Sequence, residues 1–129
     1  MTALSLPILV ADQDDASRNR LAGVLRGEGY EPVPVRTGGE AVEVIRNRVV
    51  PITILDVLLP DFSGIEVFRM INAIRVGVSG IFLARKRSKD TLVRLLEAGA
   101  YTVLQKPPRT EALMEAVRGC ASRIETKDI

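Results

Sequence analysis

The chain has 129 residues, 47% of them hydrophobic and 26% charged, a balance that suits a soluble globular protein with one adequate core. Eighteen Lys and Arg against 16 Asp and Glu leave a net charge of +2 and a pI near 9.0, too slight a bias to argue for nucleic acid by itself. The absence of His removes His-based acid–base chemistry and His metal ligands, and the single Cys120 excludes an internal disulfide.

In chain order, residues 6–11 (LPILVA) read as a short apolar strand, and the N-terminus before them lacks the basic region of a signal peptide. Residues 16–27 place Leu21, Val24 and Leu25 at helical spacing and stop at Gly27 and Gly29. Residues 30–35 (YEPVPV) form a strand that Pro32 and Pro34 confine to a sheet edge. Residues 37–48 open on Thr37 as a cap and read as the second helix. Residues 51–56 (PITILD) are a strand apolar on both faces, ending in Asp56, and residues 63–75 the helix after it. A fourth strand (80–84), a helix over about 89–98, a fifth strand (101–105) and a last helix (110–123) complete the pattern, and residues 125–129 are expected to fray.

No apolar run approaches the ~20 residues that cross a bilayer, so no membrane partner is expected and the protein is assigned to the cytoplasm. Five alternations of apolar strand and helix imply an α/β fold with a parallel sheet covered by helices on both faces. With the proline-bearing strand at an edge, the order 2-1-3-4-5 of the flavodoxin-like (βα)5 fold follows. The reading is one domain over residues 1–129, with its core at about 6–123.

In such a sheet, ligands bind beyond the carboxyl ends of the strands, where the strand order reverses. Asp12 and Gln13 follow the first strand, Asp56 ends the third, Ala84 and Arg85 the fourth, and Lys106 follows the fifth. Asp12 and Asp56 are expected to face each other with Lys106 in reach of both. Two carboxylates and a lysine make a site for a hard cation and a phosphoryl group, with Asp56 the candidate nucleophile for an acyl phosphate. The plain alternative is that these are ordinary polar residues at strand ends.

The stretches ILVADQDDASRNRL (8–21), LDVLLPDFSGIEV (55–67) and LLEAGAYTVLQKPP (95–108), with the spacing between them, resemble the receiver domain of two-component response regulators over nearly the whole chain. The resemblance implies that Asp56 is phosphorylated and that Asp12 and the Leu58 backbone carbonyl help to hold magnesium. It also implies that Lys106 contacts the phosphoryl group, with a cis peptide before Pro107. The phosphoryl donor is then a histidine kinase or phosphotransfer protein.

Five positions depart from that pattern. Gln13 replaces a second acid that ligates the metal, which weakens magnesium binding; Asp14 and Asp15 stand near enough to be considered as compensation. Ala84 lacks the hydroxyl that binds the phosphoryl group. Arg85 stands where a small residue leaves the pocket open; as a gate it either folds over the acids or, as arginines generally do, points to solvent. Val103 replaces the aromatic switch residue, so coupling from phosphate to surface is degraded. Nothing follows from Pro108 in place of a common Phe.

By the same resemblance, the face of the fourth helix, fifth strand and fifth helix carries output contacts, to an output protein or a homodimer. Its candidate residues are Leu92, Leu96, Val103 and Gln105, although apolar residues at helical spacing are more often core. The principal alternative is a degenerate receiver that acts by protein contact without phosphorylation. An aspartate-nucleophile phosphatase is disfavoured, because Val57 and Leu58 stand where its second acid is needed, and no enzyme is expected. Nucleic-acid binding through RKRSK (85–89) lacks aromatic interleaving or a recognition fold, so that run reads as a solvated loop. With no output segment after the last helix, the chain reads either as a stand-alone receiver or as part of something longer.

Overall fold

The computed structural model describes residues 5–127. Five strands, β1 (Pro7–Ala11), β2 (Glu31–Val35), β3 (Ile52–Asp56), β4 (Ser79–Ala84) and β5 (Thr102–Gln105), form one parallel sheet in the order β2-β1-β3-β4-β5. Helices α1 (Asp15–Gly27), α2 (Gly38–Asn47), α3 (Gly64–Ile74), α4 (Lys89–Glu97) and α5 (Thr110–Lys127) alternate with them. This is the flavodoxin-like order expected from the two prolines of the edge strand.

Strand side chains alternate between two cores. Ile8, Val10, Ile52, Ile54, Ile81 and Leu83 pack on one face with Leu21 and Leu25 of α1 and Leu113 and Val117 of α5. Leu9, Ala11, Leu55, Phe82, Ala84 and Val103 pack on the other, under Ala41 and Ile45 of α2, Val67 and Phe68 of α3, and Leu95 of α4. The helices start on side-chain caps: Asp14 for α1, Thr37 with Glu40 for α2, Ser63 with Glu66 for α3 and Ser88 for α4.

The element ends differ from expectation by a residue or two except at α5, which continues to Lys127 instead of stopping at residue 123. Fraying was expected from residue 125; the backbone of residues 125–127 is helical, and 128–129 lie outside the described residues, as do 1–4, part of the leader argument. Val103, offered above for the partner face, is buried at 6% exposure in the core between sheet and helices. Its side chain joins the core that holds Phe82 and Leu95, whereas Thr102 and Leu104 are half-buried and Gln105 is exposed. On α4, Leu92 leans on the core and Leu95 is wholly buried, while Val93 and Leu96 face out. Among the described residues no helix is long and apolar enough to cross a membrane.

Candidate functional site

The register of the sheet explains why three distant residues meet. Val10 pairs with Ile54 and Ala11 with Leu55, so the next residues, Asp12 and Asp56, leave the sheet side by side. Both continue the parity of Ile8, Val10, Ile52 and Ile54, and therefore point to the same face. Leu104 has that parity in β5, and Lys106, two residues on, returns to it. The peptide between Lys106 and Pro107 is cis.

The ammonium of Lys106 donates to Asp12 Oδ1 at 2.9 Å and to Asp56 Oδ2 at 2.5 Å, bridging the two carboxylates. All three side chains are buried. Burial alone pulls the Lys106 ammonium toward neutrality, but its hydrogen bonds to Asp56 and Asp12, and their charges, outweigh that and hold its pKa above the usual lysine value. Asp56 Oδ1 accepts from the Leu58 N–H at 3.0 Å. Gly64, at the start of α3, lies so close to the end of β3 that a methyl group there would stand 2.5 Å from the Asp56 carbonyl oxygen.

A cavity of about 350 Å³ opens over this cluster, bordered by Gln13, Asp14, Val57, Leu58 and Arg85. The Arg85 side chain is exposed at its rim, and its carbonyl accepts from Gln105 Nε2 at 2.8 Å. Ala84 turns its methyl into the core under α3 and α4. The loop after Asp56 is tied down by Asp61, whose carboxylate accepts from the Gly38 N–H at 2.8 Å and the Gly39 N–H at 2.9 Å at the start of α2. Partial burial raises the Asp61 carboxyl, but the Gly39, Gly38 and neighbouring amides prevail and leave it below the usual carboxylate value.

The structure thus gathers Asp12, Asp56 and Lys106, with Gln13, Leu58 and Arg85 at the mouth. Leu92, Leu96, Val103 and Gln105 line no part of this cavity. The two acids considered as compensation for Gln13 are already employed. Asp14 caps α1 by accepting from the Ser17 N–H at 2.8 Å. Asp15 pairs with Arg18 and Arg36, and the Arg18 hydrogen bond, then both charges, hold its carboxyl below the usual value. Sequence reasoning missed Asp61 and Ser17. The signal for Ser17 was present: an Asp followed three residues later by Ser is an N-cap spacing.

The donor set suits a hard cation that keeps part of its water shell. Asp56, Gln13, Asp14 and Leu58 line the cavity, Asp12 is buried behind them against Lys106, and among the described residues no three acidic, His or Cys side chains cluster into an all-protein cage.

Comparison with known proteins identifies the family of the chain. The family model of the response regulator receiver domain matches residues 8–118. The DNA-binding response regulator MtrA of Mycolicibacterium smegmatis is 33% identical over 125 residues, which are 97% of this chain and 54% of that protein. The transcriptional regulatory protein ZraR of Escherichia coli is 31% identical over 107 residues, 83% of this chain and 24% of that one. The chain therefore spans about half the length, or less, of these curated relatives. Among solved structures, a response regulator receiver domain protein from Methanospirillum hungatei superposes with a TM-score of 0.89 at 29% identity, covering 97% of this chain and 99% of that one. The signal receiver domain of a LuxO repressor-like protein from Vibrio parahaemolyticus gives 0.90 at 28%, covering 97% and 96%. The chain belongs to the response regulator receiver domain family. It is the receiver domain of a two-component response regulator, a signalling module of a kind that generally binds Mg²⁺ at its phosphorylation site and interacts with histidine kinases or phosphotransfer proteins.

Proposed function

We propose that this receiver accepts a phosphoryl group on Asp56 from a histidine kinase or phosphotransfer protein and passes the signal on by protein contact. The observation that carries the reading is the Lys106 ammonium held between Asp12 Oδ1 and Asp56 Oδ2 beneath an open cavity. An Asp56 carboxylate oxygen attacks the phosphorus of the donor, the P–N bond to the donor imidazole breaks, and the leaving nitrogen takes a proton from solvent. Lys106 holds Asp56 in place through its hydrogen bond to Oδ2, and then offers its ammonium to the oxygens of the new acyl phosphate. Asp12, Asp56, the Leu58 carbonyl and, weakly, Gln13 would hold Mg²⁺, which when bound would neutralise charge on the transferred oxygens. Gln13 is neutral, so the ion is held more weakly than by a second acid.

Arg85 replaces some of that missing positive charge at the mouth, where a planar guanidinium matches phosphoryl oxygens in pairs. With Ala84 offering no hydroxyl and Val103 no ring to turn inward, the phosphorylated state is coupled only weakly to the surface. Leu96 and Gln105, with Leu92 behind them, are the part of the α4–β5–α5 face left for a second copy or an output protein. The protein works in the cytoplasm, and any DNA contact belongs to a partner or an attached segment.

The test is incubation of the intact protein with acetyl phosphate or phosphoramidate and Mg²⁺, read by mass. One added phosphoryl group, absent in Asp56→Asn, is expected. No gain beside a phosphorylated control receiver overturns the reading in favour of an interaction module that works without phosphate.

A further inference from the structure

We propose that Ser17 is a positioning residue that holds back the Asp12 carboxylate and thereby sets a low affinity of the pocket for a divalent cation. The inference rests on the phosphoryl- and ion-binding reading of this pocket and adds the residue that tunes it.

Asp12 is wholly buried, and every polar group it has is engaged within the chain. Its N–H donates to the Val35 carbonyl at 3.1 Å, and its own carbonyl accepts from Arg18 Nη1 at 2.8 Å. Oδ1 accepts from Lys106 Nζ at 2.9 Å and from the Asp14 N–H at 3.0 Å. Oδ2, the oxygen turned away from Lys106, accepts from the Ser17 hydroxyl at 2.5 Å.

Ser17 is itself fixed. Its N–H donates to Asp14 Oδ2 in the first turn of α1, so the hydroxyl is delivered by a capped helix rather than by a free rotor. A short hydrogen bond to a carboxylate oxygen is of the strong, charge-assisted kind. It draws negative charge toward the hydroxyl and resists the rotation that would present the second oxygen to the cavity. A cation entering beside Asp56 therefore meets one Asp12 oxygen, already shared between an ammonium and an amide. Asp12, Asp56 and Lys106 together carry a net charge of only one negative unit, and Gln13 adds none. Ser17 withholds the remaining oxygen as well.

The test compares Mg²⁺ affinity of the parent, Ser17→Ala and Ser17→Thr. The readout is the NMR shifts of the residue 12–14 and 56–58 amides, titrated at constant ionic strength. Freeing a charge-assisted hydrogen bond at a ligand oxygen is expected to tighten Mg²⁺ by on the order of tenfold in Ser17→Ala. Ser17→Thr, which keeps the hydroxyl, is expected to bind as the parent does. A merely structural Ser17 lowers the urea midpoint of Ser17→Ala and leaves its Mg²⁺ affinity unchanged, which overturns the proposal. Weaker binding in Ser17→Ala, equal tightening in both variants, or no saturable binding in any of the three also overturns it. Phosphorylation of the parent by acetyl phosphate, scored separately on Asp56, tells failure of this inference from failure of the phosphoacceptor reading.

Discussion

Replacing Lys106 by Met keeps most of the apolar stem and deletes the charge that joins two buried carboxylates. Both Asp12 Oδ1 and Asp56 Oδ2 lie within hydrogen-bond reach of one nitrogen, so they are roughly 5 Å apart. At an effective dielectric near 20, each Lys–Asp attraction has a gross size of about 6 kcal/mol, and the repulsion left between the two acids is about 3 kcal/mol. Desolvation of the ammonium offsets much of the attraction, and removal of one member of a buried ionic group costs ~3–5 kcal/mol. Lys106→Met is therefore expected to lose that much stability at pH 7, a fall of about 2 M in the urea midpoint of a small domain.

The loss comes from two buried carboxylates left facing each other without the ammonium between them. Asp56→Asn placed in the Lys106→Met background is expected to recover part of the loss at pH 7. Urea unfolding of both variants followed by far-UV circular dichroism measures this. A deficit below about 1 kcal/mol, or no recovery on adding Asp56→Asn, refutes the claim that Lys106 is what makes this acidic pair tolerable.

The parent is expected to lose stability on the alkaline side. The Lys106 pKa is raised on folding, so its contribution is complete below the ordinary lysine value of 10.5 and disappears as pH rises through the folded value; Lys106→Met should lack that loss in urea midpoints taken from pH 9 upward. Asp61→Ala removes the acceptor for two amides at the start of α2 and is expected to cost about 1 kcal/mol at pH 7 by urea unfolding. Because the Asp61 carboxyl is lowered on folding, that difference should fade as pH falls from the ordinary aspartate value of 3.8 through the lower folded value. Gly64→Ala drives a methyl into the Asp56 carbonyl, and should both cost about 1–3 kcal/mol and slow acetyl phosphate labelling of Asp56. The Cys120 thiol is wholly buried and raised by that burial, so a thiol reagent is expected to modify it at the rate of unfolding rather than at the rate of an exposed cysteine.

The parts of this molecule that sequence reasoning reached are those governed by local period and chain punctuation. Near-continuous apolar strands gave away a sheet buried on both faces, and two prolines placed β2 at its edge. The meeting of Asp12, Asp56 and Lys106 followed from strand ends alone, because a parallel sheet aligns them whatever fills the core. What was missed depends on contacts that no local pattern encodes. Asp61 serves a helix more than 20 residues earlier in the chain. Val103 sits in a strand whose neighbours are mixed, so which of its faces is wet is decided by α3 and α4 packing over it. The fates of Asp14 and Asp15 were legible in principle, as a cap and as an i,i+3 ion pair, but their nearness to Gln13 drew attention toward the pocket instead.

The two prolines of β2 have a consequence beyond setting strand order. The Glu31 N–H donates to the Leu6 carbonyl and the Val35 carbonyl accepts from Asp12, so residues 31, 33 and 35 turn their backbone toward β1. Pro32 and Pro34 share the opposite parity, and the outer margin of the sheet is thereby stripped of the donors that an incoming strand would need at those two positions. Growth of the sheet by strand addition is blocked on that flank, and the β5 margin is where a further strand would have to join.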